Sequence, residues 1–423
     1  MHVKISVSQI EPGMVLAEDV SRAGGALLAA RSTVLTRRHT DLFRLHHVPS
    51  VLIEVSGPGP GEEPQEVLEP LVMEAAKDHL RSRFLFAGSR HPALAELFRL
   101  CQPRVARAMV RKKTAFPDPP PTLPASAGPE EGEGPLPTPE EIVTSDPALV
   151  SLPDVFARIC EVVNNPLSTA SDAARIIGMD QSLAARLLKL VNSAFYGFPT
   201  KVDTLSRAVT IVGSRQLTTL ALGISVVSLF RDLPAGLVDV KSVWKHSVAC
   251  GLAASVLAGG TDGAKEGVER FFVAGLLHDV GRLVLYRNLP RPSGRALRLA
   301  RGKNMLLCLA ERDVFGFDHA TLGGVLLSRW RFPESLTRAV RLHHGSGRPG
   351  WSLEPAVVHV ADLVVNAMRV GSSGEYFVPP LISEAFAALD LPPRALGEAV
   401  AKVDEQVETI LSVFLPDDDR APA

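Results

Sequence analysis

Phe271-Phe-Val-Ala-Gly-Leu-Leu-His-Asp-Val-Gly-Arg-Leu-Val-Leu285 is a long apolar stretch with an imidazole and a carboxylate at its centre. Burying those two groups in such a run is costly unless they are paired or bind a metal. Other imidazoles flank it. His246 lies upstream, and His319, the doublet His343-His344, and His359 with Asp362 follow downstream. Several sit in apolar, helix-like contexts, which is the composition of a metal pocket built from helices. A lone His-Asp pair also suits a hydrogen-bonded core pair, the carboxylate fixing the imidazole tautomer.

The helical pattern extends outward over residues 142–415. Asp180 is a good N-cap for a helix from Gln181 to about Ala194, with Leu183, Leu187, Leu188 and Val191 as its apolar stripe. Further helices are predicted over 206–212, 214–230, 244–258, 271–286, 320–330 and 355–370. No βαβ alternation occurs. Residues 115–141 are different: nine of 27 are Pro, six are Asp or Glu, and none is Lys or Arg. Such a segment cannot bury enough apolar surface to order itself, and its prolines predict an extended spacer. Residues 1–114 read as a small α+β module. Short β-like runs alternate with turns from Ile5 to Val55, including Ala23-Gly-Gly-Ala26, and Thr36 caps a helix through Leu45. From Pro64 to Lys113 the pattern turns helical, with Val67, Leu71, Ala75 and Leu80 near one face. The expected fold is mainly α: a helical bundle over 142–415, a Pro/acidic linker, and the small N-terminal module.

Composition narrows the function classes. The chain has 423 residues, 46% of them hydrophobic, and a formal net charge of −1. That is globular, with no electrostatic footprint for nucleic acid or an anionic membrane. Cys101, Cys160, Cys250 and Cys308 form no CxxC pair, so neither a zinc knuckle nor a disulfide framework is suggested, and buried thiols in a reducing compartment fit better. The N-terminus lacks a signal-peptide apolar region, and no apolar run reaches the roughly 18 residues of a membrane span. A cytoplasmic protein of bacterial type is expected. No Ser-His-Asp or Cys-His nucleophile arrangement has supporting context. Gly345-Ser-Gly-Arg-Pro-Gly350 follows no strand and is not read as a phosphate loop. The basic run Arg291 to Lys303 reads as a solvated helix face, with a docking patch for an acidic partner as the other reading.

Several motifs in order resemble the HDOD (HD-related output domain) family over roughly residues 145–410. They are Leu152-Pro-Asp-Val-Phe, Asn165-Pro166, Met179-Asp-Gln-Ser-Leu-Ala-Ala-Arg-Leu-Leu-Lys-Leu-Val-Asn-Ser193, Trp244-Lys-His, Gly275-Leu-Leu-His-Asp-Val-Gly, His319 with Leu326-Leu-Ser-Arg-Trp330, and Leu342-His-His344. Pro12-Gly-Met-Val-Leu-Ala-Glu-Asp19 and Thr33-Val-Leu-Thr36 resemble the small module that often precedes HD-GYP or HDOD domains. The resemblance implies an all-helical relative of HD-type metal phosphohydrolases, in bacterial signalling proteins, most of them without catalysis. It also implies a ligand set. His246, His278, Asp279 and Asp362 match the ordered His, His-Asp, Asp of catalytic HD domains, and His319, His343 and His344 match the further histidines of two-metal relatives. Imidazole and carboxylate suit Fe, Mn, Zn or Ni. His359 is outside this pattern and reads as structural. Three positions depart from the HD-GYP pattern: Ser242 replaces an acidic ligand, Arg282 stands for Lys, and no acidic residue with Gly-Tyr-Pro follows His344. A cyclic dinucleotide phosphodiesterase is therefore not expected. The leading expectation is a regulatory module acting on protein partners in a signalling pathway, a metal pocket retained and catalysis absent, with no nucleic acid or membrane partner and oligomerisation left open. The competing class is a metal-dependent phosphohydrolase acting on a nucleotide or other phosphoester.

Overall fold

Short apolar runs near the N-terminus form strands, and the 3.6-residue apolar period beyond them forms helices. A computed structural model describes the chain except at residues 1, 8–9, 11–13, 23–26, 47, 55–68, 89–90, 113–134, 151–153, 166, 231–235, 263, 265–266, 346–350 and 416–423. Its contacts divide into two units, Met1–Leu68 and Glu69–Ala423.

The first unit contains β1 (His2–Ser6), β2 (Val15–Leu16), β3 (Val20–Ser21), β4 (Leu27–Ala29), α1 (Arg37–Leu45) and β5 (Ser50–Glu54). β5 is the centre of an antiparallel sheet ordered β1-β5-β2, with Ile5 opposite Val51, and β3 pairs with β4. Leu16, Leu35, Phe43 and Val51 are its fully buried core. The predicted turn at 23–26 lies outside the described residues.

The second unit is helical throughout its described residues. It runs α2 (Pro70–Arg83), α3 (Pro92–Lys112), α4 (Pro139–Ser145), α5 (Pro147–Val150), α6 (Asp154–Asn164), α7 (Ala170–Ile177), α8 (Gln181–Val191), α9 (Leu205–Val212) and α10 (Ser214–Leu229). Then follow α11 (Val240–Gly259), α12 (Glu269–Leu277), α13 (Val280–Asn288), α14 (Pro290–Gly302), α15 (Leu307–Phe315), α16 (His319–Arg329), α17 (Glu334–Leu342), α18 (Leu353–Met368), α19 (Ser383–Ala387) and α20 (Ala395–Phe414). Asp180 caps α8 as expected, accepting from the Leu183 N–H at 2.9 Å. Among the described residues no single helix is long and apolar enough to cross a membrane.

Three features differ from the sequence reading. First, α2 and α3 group with the C-terminal unit rather than with the strands. α3 buries Leu94, Leu97, Cys101 and Val105 and packs on α18 and α20. An apolar stripe of that width needs cover. Second, α4 begins inside the stretch read as spacer. Thr138 and Glu141 make a capping box, each side chain bonding the other's backbone N–H, at 3.3 and 2.8 Å. Most of the remaining predicted spacer, 115–134, lies outside the described residues. Third, the predicted helix 271–286 is two helices, α12 and α13, broken at His278-Asp279.

α11 is buried nearly all round and packs against α12, α18 and α20, as expected for a helix apolar on every face. It approaches α12 so closely that a Cβ at Gly275 would lie 2.6 Å from the Cys250 carbonyl oxygen. α13 meets α16 the same way, where a Cβ at Gly281 would lie 2.0 Å from the His319 carbonyl oxygen. These two glycines set the helices carrying the His-Asp pair against those carrying His246 and His319.

Candidate metal centre

The break between α12 and α13 builds the centre. His278 follows the last residue of α12, and its Nδ1 lies 2.7 Å from the Gly275 carbonyl in the last turn. His343 repeats the device after α17, with Nδ1 2.7 Å from the Val340 carbonyl. A helix end leaves carbonyls without partners, and an imidazole there donates to one of them. The donation fixes the proton on Nδ1 and turns Nε2 inward as a lone pair. His319, at the start of α16, reaches the same state by another route: Nδ1 donates to Glu311 Oε2 at 2.5 Å.

The inward-facing atoms converge. Asp279 Oδ2 lies 3.3 Å from His278 Nε2 and 3.6 Å from His246 Nε2. Its other oxygen, Oδ1, lies 3.0 Å from His319 Nε2. Asp362 Oδ1, from α18, is 3.2 Å from His246 Nε2 and 3.4 Å from His278 Nε2. His319 Nε2 is 3.4 Å from His343 Nε2 and 3.0 Å from His344 Nε2. All seven residues singled out in the sequence, His246, His278, Asp279, His319, His343, His344 and Asp362, therefore meet. They fall into overlapping groups: His246, His278 and Asp362 with Cys250; His278, Asp279 and His343; and His319, His343 and His344. Asp279 offers one oxygen toward His246 and His278 and the other toward His319.

His359 uses both ring nitrogens on backbone, Nδ1 on the His343 carbonyl at 2.8 Å and Nε2 on the Ile382 N–H at 3.2 Å. It has no lone pair left for a metal and is structural. Ser242 does not join the cluster either; its carbonyl accepts from the Ser372 N–H at 3.1 Å.

Sequence reasoning missed the supporting shell. Cys250 Sγ lies 3.6 Å from His246 Nε2, one turn along α11. Asn366 Nδ2 donates to Asp362 Oδ1 at 2.7 Å, again one turn on. Arg282 is buried and donates to Asp279 Oδ2 at 3.1 Å, Glu311 Oε1 at 3.0 Å and Ser373 Oγ at 2.6 Å. Such second-layer partners orient ligands and tune their basicity.

The electrostatics follow from this geometry. Burial disfavours ionised Asp279, but Arg282, His278 and His319 hold it well below the usual carboxylate range. Burial likewise opposes ionised Asp362, and the imidazoles of His246 and His278 hold it low. Burial pushes His278 down, yet the Asp279 and Asp362 carboxylates raise it to about 10. His319 is pushed down by burial and by Arg282, yet Glu311 and Asp279 raise it to about 9. His343 falls to about 3 through burial and its neighbours His278 and His319.

The donor set fits a divalent cation. His246 Nδ1, His278 Nε2 and Asp279 Oδ1 are buried and make no hydrogen bond. Three imidazoles locked as Nδ1–H tautomers present bare Nε2 lone pairs to carboxylate oxygens and to one another. Lone pairs facing lone pairs repel unless protons or metal ions lie between them, and borderline metals take this mix of imidazole and carboxylate.

Comparison with known proteins bears on the same helices. Residues 149–346 match the HDOD domain family. That segment is an HDOD domain. It carries His246, His278, Asp279, His319, His343 and His344, while Asp362 lies on the next helix beyond it. A protein of Treponema pallidum (strain Nichols), itself uncharacterised, is 27% identical over 210 residues, 50% of this chain and 40% of the relative. The chain thus matches well under half the length of that relative. An HDOD domain protein from Geobacter sulfurreducens has the same fold with a TM-score of 0.51 and 24% identity, over 63% of this chain and 92% of its own. A candidate signal transduction protein from Marinobacter aquaeolei VT8 gives 0.50 and 21%, over 62% and 58%. These likenesses establish an all-helical HDOD fold.

Proposed function

We propose that this chain is a bacterial signalling protein whose HDOD domain retains a divalent-metal pocket and acts through protein contacts. The observation carrying the metal reading is the shared orientation of His278, His319 and His343, each fixed through Nδ1 so that Nε2 faces Asp279 or another imidazole. His246, His278, Asp279 and Asp362 would hold one ion, and Asp279, His319, His343 and His344 a second. Bound metal there would act as a Lewis acid or lower the pKa of bound water. Arg282 keeps Asp279 ionised, and Asn366 orients Asp362. The regulatory reading is supported by the HDOD match and by the departures from active two-metal enzymes at Ser242 and after His344.

One observation favours the second reading, a metal-dependent phosphohydrolase. His344 lines a cavity of about 780 Å³ that also takes Arg338, Arg341 and Thr337, so an anionic ester reaching the cluster would meet guanidinium groups. Metal analysis of the purified full chain, followed by a phosphoester panel with added Mn, Fe or Mg, separates the two. We expect bound transition metal in the wild type, loss of that metal in Asp279→Asn, and no turnover in either. Turnover that vanishes in folded Asp279→Asn protein would make this an enzyme, and wild-type protein that binds no metal would remove the metal pocket.

A further inference from the structure

Cys250 stands one turn along α11 from His246, and its thiol is fully buried. A buried free thiol ordinarily packs as a small hydrophobe. This one faces polar atoms: among the described residues its Sγ contacts His246 Nε2 at 3.6 Å and Asp362 Oδ1 at 4.0 Å. Four residues along a helix put two donors on one face, the spacing at which paired histidines of a single helix chelate zinc. One donor atom from each of Cys250, His246, His278 and Asp362 lies within 4.8 Å of the other three. Bonds of about 2.0–2.2 Å to nitrogen and oxygen and about 2.3 Å to sulfur, at tetrahedral angles, put neighbouring donors roughly 3.3–3.6 Å apart. His246 to Asp362 at 3.2 Å, His278 to Asp362 at 3.4 Å and Cys250 to His246 at 3.6 Å match that spacing closely. The sulfur-to-carboxylate separation must close by a few tenths of an ångström. A separate observation also points to a ligand here. His278 is 0% exposed, its Nδ1 is taken by the Gly275 carbonyl, and its Nε2 is buried without a hydrogen bond among these donors.

We propose that Cys250 is itself a metal ligand, so that the first ion is held by one thiolate, two imidazoles and the Asp362 carboxylate, with Asp279 left to bridge toward the second. The inference rests on the metal reading above and adds to it the class of ion. A thiolate donor favours zinc and other sulfur-tolerant ions over manganese and magnesium, which prefer oxygen. The group of His319, His343 and His344 contains no sulfur, so the two positions differ in the ion they prefer. With no cation present Cys250 belongs to the supporting shell, and burial together with the Asp362 and Asp279 carboxylates pushes its thiol well above the usual range. A cation reverses the sign of that local field. On binding, the S–H bond breaks, the proton leaves to solvent, and a sulfur lone pair is shared with the ion.

The test is optical titration of the chelator-treated full chain with cobalt(II). Visible ligand-field bands report uptake of the ion by any ligand set, and a near-ultraviolet charge-transfer band reports a thiolate on it. We expect both in the wild type and in Cys160→Ser, whose thiol lies on α6. Cys250→Ser should keep the visible bands and lose the charge-transfer band. Visible bands without charge transfer in the wild type, or charge transfer that persists in folded Cys250→Ser protein, would overturn the proposal and leave the metal pocket standing. No cobalt uptake at all would remove the pocket and the proposal together. Circular dichroism checks that the variants are folded. If Cys250→Ser is not, X-ray absorption of the zinc-loaded wild type decides: a sulfur neighbour at about 2.3 Å supports the proposal, and nitrogen and oxygen neighbours alone overturn it.

Discussion

His278 and His319 decide how the cluster behaves without metal. With no cation present, protons on these two imidazoles balance Asp279 and Asp362, and both rings titrate above free imidazole, near 10 and 9. A folded-state pKa raised above the unfolded value of about 6.5 adds stability that is complete below that value and is lost as pH rises through 9 and 10. We expect the unfolding midpoint of chelator-treated protein to fall between about pH 7 and 10, and that of metal-loaded protein to stay level. A level profile for the metal-free form would show that both rings are neutral there. Metal uptake near pH 7.5 should release about two protons from these rings, beside the one from Cys250, read from the dependence of the binding enthalpy on the buffer's ionisation enthalpy. That these residues cluster was legible in sequence, because imidazoles and carboxylates within apolar helices must find partners or a metal when buried. Their helpers were less so. Cys250 and Asn366 sit four residues after His246 and Asp362, a local signal open to reading. Glu311 meets His319 only because the chain turns back between α15 and α16, and nothing in the spacing announces that.

The helix break and the glycine crossings belong to the next scale. Residues 271–286 read as one helix because Leu277 to Val280 contain neither Gly nor Pro. The break is tertiary in origin: His278 turns back on Gly275, and Asp279 is drawn toward Arg282 and the imidazoles. The phase of α2 was also misread. Leu71 is 82% exposed and Ala75 is exposed, while Ala76, Leu80 and Arg83 are buried, since a buried arginine hides the apolar period. Gly275→Ala tests the crossing of α11 and α12. Its Cβ would meet backbone rather than a movable side chain, so the helices must separate, at a cost of roughly 1–3 kcal/mol for an overpacked site. We expect a lower urea midpoint and weaker metal binding, because His278 would shift away from His246. Gly302→Ala, with nothing within 4 Å of the added carbon, should be nearly neutral. Equal midpoints for the two variants would discount the crossing.

At the scale of the molecule, the C-terminal unit is larger than its family segment. α2 and α3 precede residue 149, and α18 to α20 follow residue 346, yet all pack within one unit. Composition alone suggested a Pro/acidic spacer at 115–141, and it suggested that everything before it belongs together. The apolar face of α3 overrides that grouping. A protein spanning 69–415 should therefore unfold at least roughly 5 °C above one spanning 142–415, which leaves the footprint of α3 bare. Proteolytic cleavage within 113–134 should leave residues 69–112 bound to the C-terminal fragment on gel filtration. Equal midpoints, or free release of the hairpin, would return α2 and α3 to the N-terminal module.

The pairing of α3 with α20 also imposes an order in time. Arg104 on α3 pairs with Asp404 on α20, and Gly397 approaches Leu100. Some 280 residues separate the end of α3 from the start of α20. At roughly 5–20 residues per second, α3 leaves the ribosome roughly 15–60 s before its partner does. Through that interval the part of α3 that packs on α20 stands without its partner. The nascent chain is then most exposed to holding chaperones, and ribosome profiling of chaperone-bound chains should show occupancy that begins once α3 has emerged and ends once α20 has.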